Sequence, residues 1–353
     1  MKLVICSDLQ FNNWQEFSKI LPNGKNSRFQ DQLNVLDEIF EVSIALSKDD
    51  DVILVHTGDL FESMTEKIDK AVFLDVFNKF SEFSKEGVAT ILLLGNHDFI
   101  DKTETRNIIE PFKEIKTLLV VDKPMVQVVN GVGLNFVPYT RQDFISKVGS
   151  LANTSLKPTY LFTHQGINGA LTGPRDIPMK EDYNPKDFRP DVFDIVFNGH
   201  FHKPQNFGNL QIVGSGLQKD FGERNDEKGY WILDTGKDPK HPIYVKTNGP
   251  RFYKIEISKE EEIYLPKTFR PCDFLWVVSQ GIGSDRVAEI LGKNKDTNLT
   301  NIRIEVVSER VVKTRTEISI SMPAKEQIKK YVDYCDTGDL DKDKLLELAM
   351  NKY

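Results

Sequence analysis

Five short apolar runs in this chain each end in a polar turn made of residues that bind metal ions or move protons. Val4-Ile5-Cys6 leads into Ser7-Asp8-Leu9-Gln10, Ile53-Leu54-Val55 into Gly58-Asp59-Leu60-Phe61, and residues 91–94 into Gly95-Asn96-His97-Asp98. Leu161-Phe162 leads into Thr163-His164, and residues 195–197 into Gly199-His200-Phe201-His202. Four of the six histidines lie in these turns. A single histidine after a strand is more often structural than a ligand. Five coincident placements at strand carboxyl ends, where open α/β sheets keep their sites, point instead to one shared site. Asp, Asn, Gln and His without Cys suit a borderline-hard divalent ion such as Mn2+, Fe2+ or Zn2+.

Positioning such residues requires a scaffold that the rest of the sequence describes. Residues 3–6, 52–55, 89–94, 160–162 and 193–197 are rich in β-branched or aromatic residues and do not strictly alternate, which predicts buried strands. Between the first two, Phe29, Leu33, Leu36 and Phe40 fall on one helical face. Phe73, Val76, Phe77, Phe80 and Phe83 repeat the pattern after Ser63-Met64-Thr65-Glu66, which fits a capping box. Strand and helix alternate, so α/β layering is expected. Strand-like stretches follow at 210–213, 230–233 and 243–245. After the proline-containing stretch 265–271, a strand at 274–278, a helix at 285–291 capped by Ser284 and a strand at 302–307 predict a small α/β module. Pro323 opens a helix at 324–334, Thr337-Gly338-Asp339 breaks it, and 342–350 resumes as a helix-loop-helix tail.

A chain of 353 residues exceeds the roughly 250–300 that one core serves, so a major domain with an appendage is expected. At 39% hydrophobic and 28% charged, the composition excludes collagenous, disordered and membrane-embedded classes. Forty-six basic against 53 acidic residues give a net charge of −7, and residues 251–353 carry 18 of each, so the whole excess lies in residues 1–250. Bulk charge therefore does not mark a nucleic-acid binder. Cys6, Cys272 and Cys335 form no C-x-x-C pair, which argues against a disulfide framework or a thiolate zinc site. The N-terminal apolar run, residues 3–6, is too short for a signal peptide or a membrane span, so the cytoplasm is the expected compartment. No G-x-x-x-x-G-K-S/T occurs, and Gly281-Ile282-Gly283 reads as a plain turn.

These residues, in this order, resemble the calcineurin-like metallophosphoesterase superfamily, whose signature runs D-x-H, G-D, G-N-H-D/E, a lone His and G-H-x-H. G-N-H-D and G-H-F-H stand intact here. The resemblance implies a four-layer α/β/β/α sandwich carrying two divalent ions, Mn2+ foremost. It implies Asp8, Gln10, Asp59 and His202 around one ion and Asp59, Asn96, His164 and His200 around the other, with Asp59 as the bridge. Two cations about 3.5–4 Å apart clamp phosphoryl oxygens and acidify a shared water for in-line attack. His97 would face the scissile phosphate, stabilising charge or protonating the leaving oxygen, and Asp98 reads as the group orienting an imidazole. Gln10 stands where the family has His, and its neutral amide is a weaker donor, which loosens the first site. Thr163-His164 replaces the more usual Gly-His.

Gly214-Ser215-Gly216-Leu217-Gln218, Phe221-Gly222-Glu223 and Lys228-Gly229-Tyr230 narrow the resemblance to the SbcD-type nucleases, with Gly216 where those carry Pro. That similarity spans residues 1–235 and implies a nuclease domain over 1–250, an α/β capping domain over 251–320 and a helical tail over 321–353 that docks on an SbcC-type ATPase. It further implies DNA as substrate, exonuclease action on duplex ends, endonuclease action on single strands or hairpins, and a homodimer within a heterotetramer away from any membrane. ATP dependence would come from the partner. Glu62, after Gly58-Asp59-Leu60-Phe61, receives no role. Two other readings stand beside this one: a phosphoesterase of small phosphoesters, and a structural DNA-clamping subunit with a degenerate site, supported by Gln10.

Overall fold

Apolar runs too short for helices fold as strands here, and the amphipathic stretches between them fold as helices. In chain order the computed structural model has β1 (Lys2–Cys6), α1 (Ser27–Ser47), β2 (Val52–His56), α2 (Lys70–Phe83), β3 (Ala89–Leu93), β4 (Leu118–Val121), β5 (Met125–Val129) and β6 (Val132–Val137). There follow α3 (Phe144–Leu151), β7 (Thr159–Thr163), the two-residue strands β8 (Leu171–Thr172) and β9 (Ile177–Pro178), β10 (Ile195–Asn198), β11 (Gln205–Phe207), β12 (Leu210–Ile212), β13 (Gly229–Asp234) and β14 (Ile243–Lys246). Last come β15 (Phe252–Ile257), β16 (Phe274–Gln280), α4 (Ser284–Gly292), β17 (Ile302–Val307), α5 (Ala324–Tyr334) and α6 (Lys342–Met350). The structure describes residues 1–62, 67–101, 103, 105–152, 156–293, 301–307, 322–338 and 340–350.

Two six-stranded sheets run in the orders β14-β13-β1-β2-β3-β4 and β11-β12-β10-β7-β6-β5. In each, four adjacent strands are parallel: β1 to β4 in the first, and β12, β10, β7 and β6 in the second. Successive side chains of a strand point to opposite faces, so Leu3 and Ile5 face one way and Val4 and Cys6 the other. Leu3, Ile5, Val55 and Leu93 meet Phe136, Phe162, Phe197 and Val213 in the core between the sheets. Behind the first sheet, Val4, Leu54 and Leu92 are covered by Leu33, Leu36 and Phe40 of α1 and Val76 and Phe80 of α2. Behind the second, Leu161, Val196 and Ile212 are covered by Phe144 and Val148 of α3 and by Phe188. The result is the four-layer α/β/β/α sandwich. Because both faces of the central strands are buried, they read in sequence as continuous apolar runs.

Asn26 caps α1, its Oδ1 accepting from the amides of Arg28 and Phe29 at 2.9 and 3.2 Å. Helix α2 opens at Asp69, whose carboxylate accepts from the Ala71 amide at 2.7 Å; the expected capping box at 63–66 lies outside the described residues. Ser284, expected to cap α4, is the first helical residue, with Gly283 in the cap position. Strand β15 precedes the stretch after which the sequence predicts the α/β module to begin. It pairs in parallel with β16 in a three-stranded sheet ordered β15-β16-β17. Phe252 and Phe274 of this module pack with Phe17 and Phe221, and the Arg28 guanidinium lies 5.0 and 4.8 Å from the first two rings.

The chain divides into two compact units, Met1–Glu305 and Val306–Tyr353. In the second, α5 and α6 have no buried residue among those described, and Lys342 donates to the Asp333 carbonyl at 2.9 Å. Among the described residues no helix is long and apolar enough to cross a membrane.

Candidate metal centre

β1, β2 and β3 of the first sheet and β7 and β10 of the second point their carboxyl ends to the same place, and the five polar turns meet there. His164 Nε2 lies 3.2 Å from Asp59 Oδ2 and 3.1 Å from Asn96 Oδ1, and His200 Nδ1 lies 2.9 Å from the same Asn96 oxygen. The His97 amide donates to Asp59 Oδ1 at 2.7 Å, and the His200 amide donates to Asp8 Oδ2 at 3.2 Å. His202 Nε2 is 3.9 Å from Asp8 Oδ1. Gln10 Nε2 donates to Asp59 Oδ2 at 3.3 Å. All eight residues singled out in the sequence therefore fall in one cluster.

The turns are bent to achieve this. Asp8, Gln10, Asp59 and His200 adopt φ of 52°, 43°, 57° and 82°, a left-handed conformation that costs non-glycine residues about 1–3 kcal/mol each. Gly58, at φ 109°, lies so close to the His164 ring that a Cβ there would overlap it, and a Cβ on Gly95 would overlap the Asp59 carboxylate. Four of the nine non-glycine residues with positive φ among those described lie in these turns, and strain held at ligand-type positions is in keeping with a functional constraint.

Asp59, His164 and His200 each bring a donor atom within 4.8 Å of the other two, the spacing a metal ion needs. Asn96 Oδ1 lies within hydrogen-bonding distance of both imidazoles. Burial alone would raise the pKa of Asp59, but the His164 imidazole and the His97 amide hold it well below the usual carboxylate range. Burial would lower that of His164, yet Asp59 raises it to about 9. Burial, reinforced by His164, pushes His200 down to about 3, which keeps its lone pair free to ligate. This set fits a divalent ion.

The other expected set fits less well. Asp8 Oδ1 is buried with no hydrogen-bond partner, and burial raises the pKa of that carboxyl. Asp8 Oδ1 and His202 Nε2 lie 3.9 Å apart, and Gln10 Oε1 accepts from the Lys219 ammonium. His202 is oriented by Glu223, whose Oε1 is 2.6 Å from Nδ1 and whose other oxygen pairs with Lys228 at 2.9 Å.

Two second-rank assignments change. Asp98 does not touch an imidazole; its carboxylate accepts from the amides of Asp59 (3.0 Å), Phe61 (3.0 Å) and Gly95 (2.9 Å), tying the β2 turn to the β3 turn. The orienting carboxylate is Glu62, 4% exposed, whose Oε1 sits 2.5 Å from His97 Nδ1. Burial lowers the pKa of His97, but the Glu62 hydrogen bond and the Asp59 charge raise it overall. The available signal is position: Glu62 ends the same turn that carries Asp59.

The model of the calcineurin-like phosphoesterase family matches residues 1–204. The chain is 23% identical over 197 residues to exonuclease subunit 1 of Enterobacteria phage T4, a match covering 51% of this chain and 52% of that protein. It is 25% identical over 261 residues to a subunit of the nuclease SbcCD from Staphylococcus epidermidis, covering 66% of each. The matches thus span between half and two thirds of these curated relatives. Among solved structures, a dimetal phosphatase from Danio rerio aligns at TM-score 0.42 and 7% identity over 70% of this chain and 98% of that one.

Proposed function

The chain belongs to the calcineurin-like phosphoesterase family, whose members use divalent metal ions, and on that premise we propose that it is a metal-dependent DNA phosphodiesterase. It would act as the nuclease subunit of an SbcCD-like repair and recombination complex, as an exonuclease on duplex ends and an endonuclease on single strands or hairpins. The observation that carries the reading is the convergence of Asp59, Asn96, His164 and His200 beside the His97–Glu62 pair. Nuclease activity is favoured over small-phosphoester hydrolysis because both curated relatives are named as nuclease subunits.

In this reading Asp59, Asn96, His164 and His200 hold Mn2+, and Asp8 and His202, with Gln10 beside them, line the adjoining position. A bound divalent ion supplies Lewis-acid polarisation of a phosphoryl oxygen and acidifies water. The rest falls to the chain's own groups. His97, whose side chain is 24% exposed, would present a proton to the leaving oxygen while Glu62 holds Nδ1. Asp98 fixes the two turns so that Asp59 and His97 keep their separation. The module at 251–320 serves as the capping domain. The tail, which leaves Tyr331, Tyr334, Leu340 and Leu348 exposed, docks on the ATPase partner of a heterotetramer containing two copies of this chain.

The test is cleavage of linear duplex and single-stranded DNA with Mn2+, with and without the ATPase, by wild type and His97→Ala. Loss of about 10²–10⁴-fold in His97→Ala is expected. Turnover of a chromogenic phosphodiester but of no DNA under any of these conditions sinks the nuclease assignment.

A further inference from the structure

Gln10 stands where an imidazole ligand is expected, and its amide is held at both ends. Nε2 donates to Asp59 Oδ2 at 3.3 Å and Oε1 accepts from the Lys219 ammonium. These neighbours fix which way the amide points, since a carboxylate takes the NH2 and an ammonium takes the carbonyl. The one atom through which Gln10 would ligate an ion is engaged by a cation that belongs to the chain.

Lys219 is built into this place. Its amide donates to Glu223 Oε2 at 3.0 Å and its carbonyl accepts from Arg28 Nη2 at 2.8 Å. Its ammonium lies 4.8 Å from the centre of the Trp14 ring and 3.6 Å from Glu62 Oε2, and the side chain is 22% exposed. Glu223 holds both the Lys219 backbone and the His202 ring, so one carboxylate sets the two groups that flank the position. An ammonium and a divalent ion on the same neutral oxygen repel each other, and an amide offers little to offset that. What is left on this side is Asp8, His202 and the shared Asp59, with the Asp8 and His202 donor atoms 3.9 Å apart. Among the described residues, Asp8, Asp59 and His202 do not form a three-donor group of the kind made by Asp59, His164 and His200.

We infer that Lys219 stands in for one of the two ions: the chain holds a single divalent ion tightly, at Asp59, Asn96, His164 and His200, and the Gln10 side of the cleft draws its positive charge from the Lys219 ammonium. There the ammonium acts as a point charge for a phosphoryl oxygen. The inference rests on the phosphoesterase reading of the site and is independent of what the phosphoester belongs to.

The test counts Mn2+ on the full chain by equilibrium dialysis, with free Mn2+ read by electron paramagnetic resonance. The proteins are wild type, Lys219→Arg, Lys219→Met and the double variant Gln10→His/Lys219→Met. Wild type and Lys219→Arg are expected to bind one ion tightly, a second at least about tenfold more weakly, and to give no exchange-coupled dinuclear signal. The double variant is expected to bind two ions over the range in which wild type binds one, with Lys219→Met between. Two ions of equal affinity on wild type overturn the inference without recourse to any variant. So does a weak second ion whose affinity is the same in Lys219→Met as in wild type. The count needs no catalysis, so a chain that binds one ion yet never cuts DNA would refute the nuclease assignment and leave the role of Lys219 standing.

Discussion

Replacing Glu62 by Gln tests whether the Glu62–His97 pair works as a proton donor. Gln keeps the shape of the side chain and one acceptor for His97 Nδ1, so the fold should persist, while the charge is removed. The bond at stake spans 2.5 Å and its carboxylate side chain is 5% exposed, a short contact largely shielded from water. Hydrogen bonds to charged groups are worth about 1.5–3 kcal/mol, which corresponds to about 10–100-fold in rate if the bond acts in the transition state. The sign of the pH effect follows from the same contact. Against burial, which lowers the pKa of His97, Glu62 raises it; removing the charge lets it fall. If protonated His97 is the active form, the alkaline limb of the rate profile moves to lower pH in Glu62→Gln. The assay compares kcat against pH on a DNA strand, whose alkoxide leaving group needs a proton, and on a nitrophenyl phosphodiester, whose leaving group does not. A large loss on DNA and a small one on the nitrophenyl ester is expected. Equal losses on both, with no displacement of the alkaline limb, would refute proton donation by His97.

Two further predictions concern stability. His56 is buried with neither ring nitrogen hydrogen-bonded, and burial, then the His164 charge, push its pKa down to about 3 from 6.5. The unfolded chain takes a proton that the native one refuses, so this contribution is neutral above pH 6.5 and costs stability as pH falls toward 3. At about 1.36 kcal/mol per pH unit the loss reaches about 2–3 kcal/mol by about pH 4.5. Urea midpoints at about pH 7 and 4.5 should therefore differ less for His56→Phe than for wild type; identical differences would show that His56 is not the source. Asp98→Ala leaves the amides of Asp59, Phe61 and Gly95 without their acceptor, and at about 1–3 kcal/mol per buried orphan the unfolding free energy should fall by several kcal/mol together with Mn2+ affinity. A loss below about 1 kcal/mol by thermal unfolding would mean that water reaches the turn.

What the sequence disclosed and what it hid divide along physical lines. The strands that carry the site are buried on both faces, so β1, β2, β3, β7 and β10 appear as uninterrupted apolar runs, and the turns after them stand out by contrast. Strand β15 carries Lys254 and Glu256 on its partly exposed positions, and β5 exposes Val126 and Val128, so neither makes a run that a buried-strand pattern detects. Asp98 adjoins His97 in sequence and is the natural candidate to orient it, but its short side chain is claimed by three amides. Glu62, 35 residues earlier, reaches the ring from the neighbouring turn. Local spacing reports which turns carry ligands. It does not report which carboxylate meets which imidazole, because that depends on how adjacent strands stack. The Lys219–Gln10 contact joins residues 209 apart and has no local signature at all.

The net charge of −7 takes on a different meaning once these partners are known. Asp8, Asp59, Glu62, Asp98 and Glu223 all belong to the acidic excess of residues 1–250, yet none of them faces solvent as a free charge. Asp59 pairs with His164, Glu62 lies against His97 and Lys219, Glu223 pairs with Lys228 and His202, Asp98 is enclosed by amides, and Asp8 is buried, with its pKa raised by burial. A phosphate approaching the cleft meets instead His97, Lys219 and whatever ion Asp59 holds. The sum takes Asp59 at full charge and His164 as neutral, although Asp59 raises the His164 pKa to about 9, and so overstates the negative charge at the point of reaction. If Lys219 supplies +1 where an ion would supply +2, the local attraction is also weaker than in a site with two ions. On the proposed nuclease reading, grip on a long polyanion would then come from surfaces beyond the cleft, which is why that reading includes a partner.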